Sequence, residues 1–328
     1  MTPSTQAELS EPLAAPDAAS VDAPESGATA KLIHDLRELF KVKVVALVLV
    51  TGWGGFYLGS IESGITSVQR GLLDALLGIG LVSAGAGALN EALERKTDAR
   101  MKRTADRPMA AGRFSLAQGV LAGLGALALG AYWLLVHTNL LTVALALLTA
   151  FTYVAIYTPL KRVTAMATFI GAFPGAMGPM LGWTAARGRI EWPAVALFAI
   201  LFVWQFPHFM SIAWLYRDDY AKAGIRMLPV VQPDGWSTVA EALFFAVVMI
   251  PVSLAPWRLG LASLTYAVSA VALGLMYLAY TVRFVRILHA SEVESRKLAR
   301  DLLKVSVLYL PLLFTTLMLC AREAVGKR

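Results

Sequence analysis

The sequence predicts an all-α membrane protein, a polytopic bundle of nine transmembrane helices with its N-terminus in the cytoplasm. Hydrophobic residues make up 57% of the 328 residues and charged residues 16%, which is unlike a soluble domain. Apolar runs long enough to cross a bilayer recur along the whole chain. Most Lys and Arg residues fall in alternate segments between these runs, and the positive-inside rule places those segments in the cytoplasm.

The first 43 residues contain no apolar run. Residues 1–30 are rich in Ala, Pro, Ser, Thr, Asp and Glu, contain no Lys or Arg, and are expected to form a disordered tail without a secretory signal. The segment 31–43 is basic and amphipathic, and it predicts a short helix at the lipid headgroups. Residues 31–328 are expected to form a single membrane domain.

The nine apolar runs define the predicted spans. They lie at about 44–60, 71–93, 117–136, 139–157, 165–185, 193–215, 239–257, 260–282 and 303–321. In the predicted orientation, the polar segments 94–115, 158–164, 216–238 and 283–302 share the cytoplasmic face. The fifth span carries four glycines and two prolines, which favour either close helix packing or a bent helix that lines a cavity.

Polar oxygens follow one face of the second predicted span where that span ends. Asn90, Glu94 and Asp98 are four residues apart, so on a helix their side chains lie along one stripe. Such oxygens suit Mg²⁺, an ion that proteins usually hold with one or two carboxylates together with water and substrate phosphates. The stripe therefore predicts a magnesium site that binds a diphosphate.

Cations follow these oxygens at once in the sequence. Arg103 and Arg107, again four residues apart, could form forked hydrogen bonds to phosphate oxygens. A solvated positive cytoplasmic loop explains any one of these basic residues equally well. It does not explain Asn90 and Glu94 at the end of an apolar run, where polar groups indicate a functional site.

The sixth predicted span repeats this order of span, carboxylates and cations. Asp218 and Asp219 follow the span and could hold a second Mg²⁺, although exposed loop acids are the commoner case. Arg217 and Lys222 flank them as candidate ligand-binding cations. His208 lies inside the span, where a buried, hydrogen-bonded histidine is the usual explanation and a ligand contact the alternative.

The stretch from Asn90 to Pro108 has the order N-x-x-x-(D/E)-x-x-x-D-x-x-M-x-R-T-x-x-R-P. This order resembles the UbiA prenyltransferase superfamily, and within it the haem O synthases, or protoheme IX farnesyltransferases. Glu94 stands where an Asp is more usual in the family. The stretch from Trp204 to Phe209 also resembles the haem O branch. The resemblance covers roughly residues 35–320.

The resemblance implies a reaction and a set of ligands. The reaction would be Mg²⁺-dependent transfer of a farnesyl group from farnesyl diphosphate to a vinyl group of haem B, with addition of water, to give haem O. Asn90, Glu94, Asp98 and Asp219 would hold Mg²⁺, and Arg103, Arg107 and Lys161 would neutralise the diphosphate. His208 would contact the porphyrin at its iron or at a propionate.

The end of the fourth span also resembles the family. Its members carry a tyrosine-rich helix end followed by a basic pair that meets the diphosphate. Tyr153 and Tyr157 would then present their π-faces to an allylic cation, and Lys161 would meet the diphosphate. Arg162 is a further candidate. Interfacial tyrosines and positive-inside anchors are the structural alternative for all four residues.

Other functions stay open from the residues alone. A prenyltransferase that acts on a quinone or chlorophyll precursor is the second reading, and a transporter of anionic lipids or metabolites is the third. The formal charge of +7 suggests no nucleic-acid partner, because the basic residues lie between spans. By resemblance, the enzyme would sit among lipids in the bacterial inner membrane, face the cytoplasm, and work beside haem A synthase or a terminal oxidase.

Overall fold

The computed structural model describes residues 23–62 and 69–325, with side-chain detail for residues 28–61 and 71–321. Within these ranges the fold is all-α, as predicted. The long helices are α1 (Ala23–Leu39), α2 (Val42–Glu62), α3 (Gln69–Asp98), α4 (Leu116–His137), α5 (Leu140–Phe151), α7 (Ala167–Arg187), α8 (Trp192–Leu215), α11 (Trp236–Ser253), α13 (Leu264–Phe284) and α14 (Glu292–Val325). Short helices are α6 (Thr158–Leu160), α9 (Arg217–Ala223), α10 (Leu228–Val231) and α12 (Ala255–Arg258).

Eight of the described helical segments are long and apolar enough to cross a membrane. Helix α7, at the position of the fifth predicted span, is not among them. Its glycines, prolines and threonines lower its hydropathy, while its second half is buried inside the bundle. Nine spans and the side of the N-terminus therefore stay predictions.

Helix α7 packs on α2 through glycines. An added Cβ on Gly182 would fall far inside van der Waals distance of the carbonyl oxygen of Gly52, and one on Gly55 would do the same at the carbonyl of Pro179. The two backbones thus approach as closely as small-residue helix interfaces in membranes allow. Despite two internal prolines α7 is one helix, so close packing and cavity lining both apply to it.

The N-terminal helix α1 begins at Ala23, so the last eight residues of the expected disordered tail lie in a helix, while residues 1–22 lie outside the described ranges. The predicted amphipathic helix ends at Leu39. Arg113, on the loop after α3, donates two hydrogen bonds to Asp35 at 2.8 and 2.9 Å. These bonds hold the pKa of Asp35 below its usual value. Helix α1 is therefore fastened to the loop beyond α3.

Helix α8 lies at the centre of the larger core and packs against α7, α11 and α14. Helices α3 and α4 pack closely on the other side of α7, with α5 beside them. The space between these two groups of helices contains the site.

Candidate functional site

A cavity of about 440 Å³ lies between α2, α3, α5, α7 and α8. One end is charged and the rest is mostly apolar. The charged and amide side chains at that end come from the turn before α2, from α3, from the loop after α3 and from the end of α6: Lys41, Asn90, Glu94, Asp98, Arg103, Arg107 and Lys161. The structure thus brings together six predicted site residues and one, Lys41, that was not predicted.

The stripe on α3 is formed as the spacing predicts. Asn90, Glu94 and Asp98 are all buried and all line the cavity. Across the described residues, no three His, Cys, Asp or Glu side chains form a metal-ligand group. The donor set here is two carboxylates and one amide oxygen, which fits Mg²⁺ when water and a diphosphate supply its other ligands.

Each carboxylate of the stripe faces a cation. Lys161 forms an ion pair with Glu94, and Arg107 donates a 2.8 Å hydrogen bond to Asp98. Burial lowers the pKa of Lys161, but Tyr157 and Glu94 outweigh that effect and raise it above its usual value. Burial also lowers the pKa of Arg107, but the charge of Asp98 and its hydrogen bond outweigh that effect and raise the pKa above its usual value. Both cations therefore stay charged at neutral pH.

A π-helical turn, Thr152–Tyr157, interrupts the fourth span and orients Asn90. The Thr158 hydroxyl donates to the carbonyl oxygen of Tyr153, five residues earlier, at 2.8 Å. It also accepts a 2.7 Å hydrogen bond from Nδ2 of Asn90. With its nitrogen held in this way, Asn90 directs its oxygen Oδ1 towards Lys41.

Lys41 is a site residue that the sequence analysis missed. Its Nζ donates to Oδ1 of Asn90 and lies 3.4 Å from the Tyr153 hydroxyl. Its backbone has a φ of 48°, in the left-handed turn that joins α1 to α2. The sequence signal was a basic residue just before a span, which also fits a headgroup anchor. Its stem packs beside Gly87, where a Cβ would lie 3.4 Å from Lys41 Cγ.

The two predicted tyrosines stack on one another along the cavity wall. The ring centroids of Tyr153 and Tyr157 are 5.7 Å apart, and Nζ of Lys161 lies 4.7 Å from the Tyr157 ring centroid. Gly171 of α7 makes this possible, because a Cβ there would lie 2.6 Å from Cδ2 of Tyr157. The glycine allows an aromatic face into the cavity.

His208 lies outside the cavity lining. Helix α8 presents Gln205, Phe209 and Ile212 to the cavity. His208 faces α14 instead, with its Nδ1 2.8 Å from Oγ of Ser306 and its ring stacked 4.7 Å from that of Trp204. This placement agrees with the buried, hydrogen-bonded histidine that the sequence analysis gave as the usual explanation.

The remaining predicted residues also lie outside the cavity lining. Arg162 bonds to Thr97, and ion pairs join Asp218 to Arg296 and Arg217 to Glu292 at the start of α14. Asp219 is half-buried and Lys222 exposed. Asp218 and Asp219 therefore do not line the cavity together with Glu94 and Asp98.

Helix α9 and the loop after it nevertheless contribute to the charged end of the cavity. Tyr220, Ile225 and Met227 line the cavity, and Met101 packs against Ile225. The backbone N–H of Arg226 donates a 2.8 Å hydrogen bond to the carbonyl of Lys161. Three loops thus meet above the α3 stripe.

Glu91 is a second residue that the sequence analysis missed. It is fully buried on α3 behind the cavity, and its Oε1 accepts a 3.2 Å hydrogen bond from the backbone N–H of Met109. Its Oε2 has no partner among the described residues. Met109 in turn fills the space beside Gly119, where a Cβ would lie 2.6 Å from Sδ. Glu91 therefore fastens the loop that carries Arg107.

Replacing Glu91 tests this role. Glu91→Met removes the acceptor and is expected to lower kcat/KM for the diphosphate substrate that the sequence predicts by about ten-fold, as loss of an orienting partner does at metal sites. Glu91→Gln retains the accepting oxygen and is expected to stay within about three-fold of the parent. Steady-state kinetics on both variants show whether the hydrogen bond that Glu91 accepts or its charge is what the site needs. An equally impaired Gln variant would mean that the charge matters and the hydrogen bond does not.

A bundle of apolar helices around a cavity that is charged at one end and apolar beyond it defines a multi-pass membrane protein suited to an amphiphilic anion. Residues 47–308 match the UbiA prenyltransferase family, and the chain belongs to that family.

Curated relatives and solved structures agree with this assignment. A protoheme IX farnesyltransferase of Koribacter versatilis is 52% identical over 88% of this chain and 94% of the relative, and one of Solibacter usitatus is 40% identical over 88% and 98%. A solved structure concerning digeranylgeranylglyceryl phosphate synthase has a TM-score of 0.72 at 16% identity, covering 89% of this chain and 99% of that one. A UbiA homologue from Archaeoglobus fulgidus bound to GPP and Mg²⁺ has a TM-score of 0.60 at 15% identity, covering 86% and 99%.

Proposed function

We propose that this protein transfers a farnesyl group from farnesyl diphosphate to a vinyl group of protoheme IX (haem B), with addition of water, to give haem O. The observation that carries the proposal is the single cavity that joins the α3 stripe and four cations to a long apolar wall. The names of the curated relatives support the donor and the acceptor.

The charged end of the cavity would bind the diphosphate. Asn90, Glu94 and Asp98 would hold Mg²⁺, which when bound supplies charge neutralisation for the leaving group. Lys41, Arg103, Arg107 and Lys161 would bind the diphosphate oxygens, and the arginines would do so through planar forks. These cations stabilise the negative charge that develops as the carbon–oxygen bond breaks. Asp218 and Asp219 stay candidates for a second Mg²⁺, since Tyr220 of the same short helix lines the cavity.

The apolar wall would hold the isoprenoid tail. Tyr153 and Tyr157 present stacked rings beside Lys161, where the allylic cation would form, and their π-faces would stabilise positive charge. The apolar walls beyond them exclude water from most of the allylic cation.

His208 is the proposed contact to the porphyrin. The hydroxyl of Ser306 donates to the carbonyl of Leu303 at 2.7 Å, so its oxygen accepts from Nδ1 of the imidazole. In that tautomer Nδ1 carries the proton and Nε2 has a free lone pair, as ligation of an iron by Nε2 would require. Arg162, Arg217 and Lys222 stay candidates for binding propionates or phosphate.

His208→Ala is expected to weaken haem binding at least ten-fold or to shift the haem absorption spectrum, while Mg²⁺-dependent binding of farnesyl diphosphate stays unchanged. A matched control is His137→Ala, because His137 also packs against a tryptophan four residues earlier, with ring centroids 4.4 Å apart and the rings tilted by 36°. Haem titration of both variants followed by visible absorption makes the comparison. Parent-like haem binding by the His208 variant would make this histidine structural.

The decisive experiment on the proposed function is an assay of the purified protein with haem B, farnesyl diphosphate and Mg²⁺, in which mass spectrometry detects haem O. Diphosphate release should require Mg²⁺. Turnover only with a quinone or chlorophyll precursor would move the protein to another branch of its family, and substrate movement without any diphosphate release would indicate a transporter. We place the reaction at the cytoplasmic face of the bacterial inner membrane, with haem A synthase or a terminal oxidase as the next user of haem O.

A further inference from the structure

The cavity runs lengthwise along the helices that line it. On α3 its lining extends from Asp98 at the charged end to Ile79, nineteen residues away, or about 28 Å at ~1.5 Å per residue. The other helices agree in direction. The lining runs from Lys41 to Val48 at the start of α2, and from Lys161 back to Ala146 along the fourth span.

Packed apolar side chains line the far end of the cavity. Val48, Ile79, Ala146 and Leu181 come from α2, α3, α5 and α7, line the cavity, and belong to one hydrophobic cluster. Ile79, Ala146 and Leu181 are at most 3% exposed. Behind them the same cluster contains Leu134, which is fully buried and does not line the cavity. We call the three buried lining residues, Ile79, Ala146 and Leu181, the floor.

We propose that the floor sets the longest isoprenoid chain that the enzyme accepts, an inference that rests on the proposed function. The charged end fixes the diphosphate, so the tail must extend along the apolar wall towards the floor. A five-carbon unit added to the tail must displace packed core side chains, because close-packed interiors hold few voids. Chain-length selection therefore follows from the distance between the cations and the floor.

Leu181→Ala and Ile79→Ala, made separately, deepen the floor. Each is expected to raise the ratio of kcat/KM for geranylgeranyl diphosphate to that for farnesyl diphosphate at least about ten-fold, since even one methylene in a pocket changes such ratios ten-fold or more. Ala146→Leu raises the floor and is expected to shift the preference the other way, towards geranyl diphosphate. The readout is Mg²⁺-dependent diphosphate release with haem B as acceptor.

Leu134→Ala is the matched control. It loosens the same cluster without changing the cavity wall, and it is expected to leave the chain-length ratio within about two-fold of the parent. Because each measurement is a ratio between two donors, partial loss of folded protein cancels. If one floor variant fails to fold, the other two still report.

The outcomes separate the two proposals. A parent protein that releases diphosphate from none of the three donors contradicts the proposed function itself. If the parent uses farnesyl diphosphate and every folded floor variant keeps the parent's order of preference among the donors, that result contradicts the proposal that the floor sets the longest chain. A Leu134→Ala variant that shifts the ratio as far as Leu181→Ala also overturns it, because general loosening would then explain the change.

Discussion

Asp98→Asn is expected to reduce turnover of farnesyl diphosphate by at least about a hundred-fold while the protein stays folded. The substitution preserves size but removes a buried charge that lines the cavity and accepts a 2.8 Å hydrogen bond from Arg107. Loss of one preorganised charge partner at a reacting centre costs roughly 10²–10³ in rate. Diphosphate release, measured across a Mg²⁺ titration, gives the effect.

The same loop supplies a control for this substitution. Asp106 also pairs with an arginine, Arg113, but its side chain is 91% exposed and lies away from the cavity lining. Asp106→Asn should therefore keep activity within about two-fold, as surface ion pairs contribute little. Activity of the Asp98 variant within three-fold of the parent would remove Asp98 from the metal and diphosphate site.

Gly182→Ala is expected to abolish recovery of folded protein. The new methyl group would overlap the backbone of Gly52, and a backbone carbonyl cannot move aside as a flexible side chain can. Overpacking a well-packed interface typically costs 1–3 kcal/mol and more where relief is blocked. The monodisperse fraction on size exclusion in detergent, followed by thermal unfolding, measures the loss.

Gly125→Ala is the comparison, because a Cβ on Gly125 of α4 meets nothing within 4 Å. This change should be neutral or slightly stabilising, since alanine favours a helix over glycine by roughly 0.5–1 kcal/mol. If the two alanine variants unfold at the same temperature, α2 and α7 do not depend on the glycine contact.

The α3 stripe could be predicted because its geometry is local. The helical repeat alone places Asn90, Glu94 and Asp98 on one face, and the structure preserves that face in the cavity. Arg107 and Lys161 were predictable as cations near the stripe, but their pairing with Asp98 and Glu94 required the fold.

Three features could not be read from the sequence, for different reasons. Lys41 reaches the site across 49 residues of sequence, and the turn that directs it has no distinctive residue type. Thr158 orients Asn90 only because a π-helical turn shifts its position. His208 was placed on α8 correctly, but Gln205, only three residues earlier, lines the cavity while His208 faces α14, and the sequence does not distinguish the two positions.

The glycine contact between α2 and α7 also bears on how the protein enters its membrane. Helix α7 is not among the described segments that are long and apolar enough to cross a membrane. It packs closely on α2, yet α3, α4 and α5 are synthesised between the two. The glycine face of α2 therefore meets its partner only after α7 has been synthesised. The cavity, which both helices line, can therefore be completed only after α7 has been added to α2.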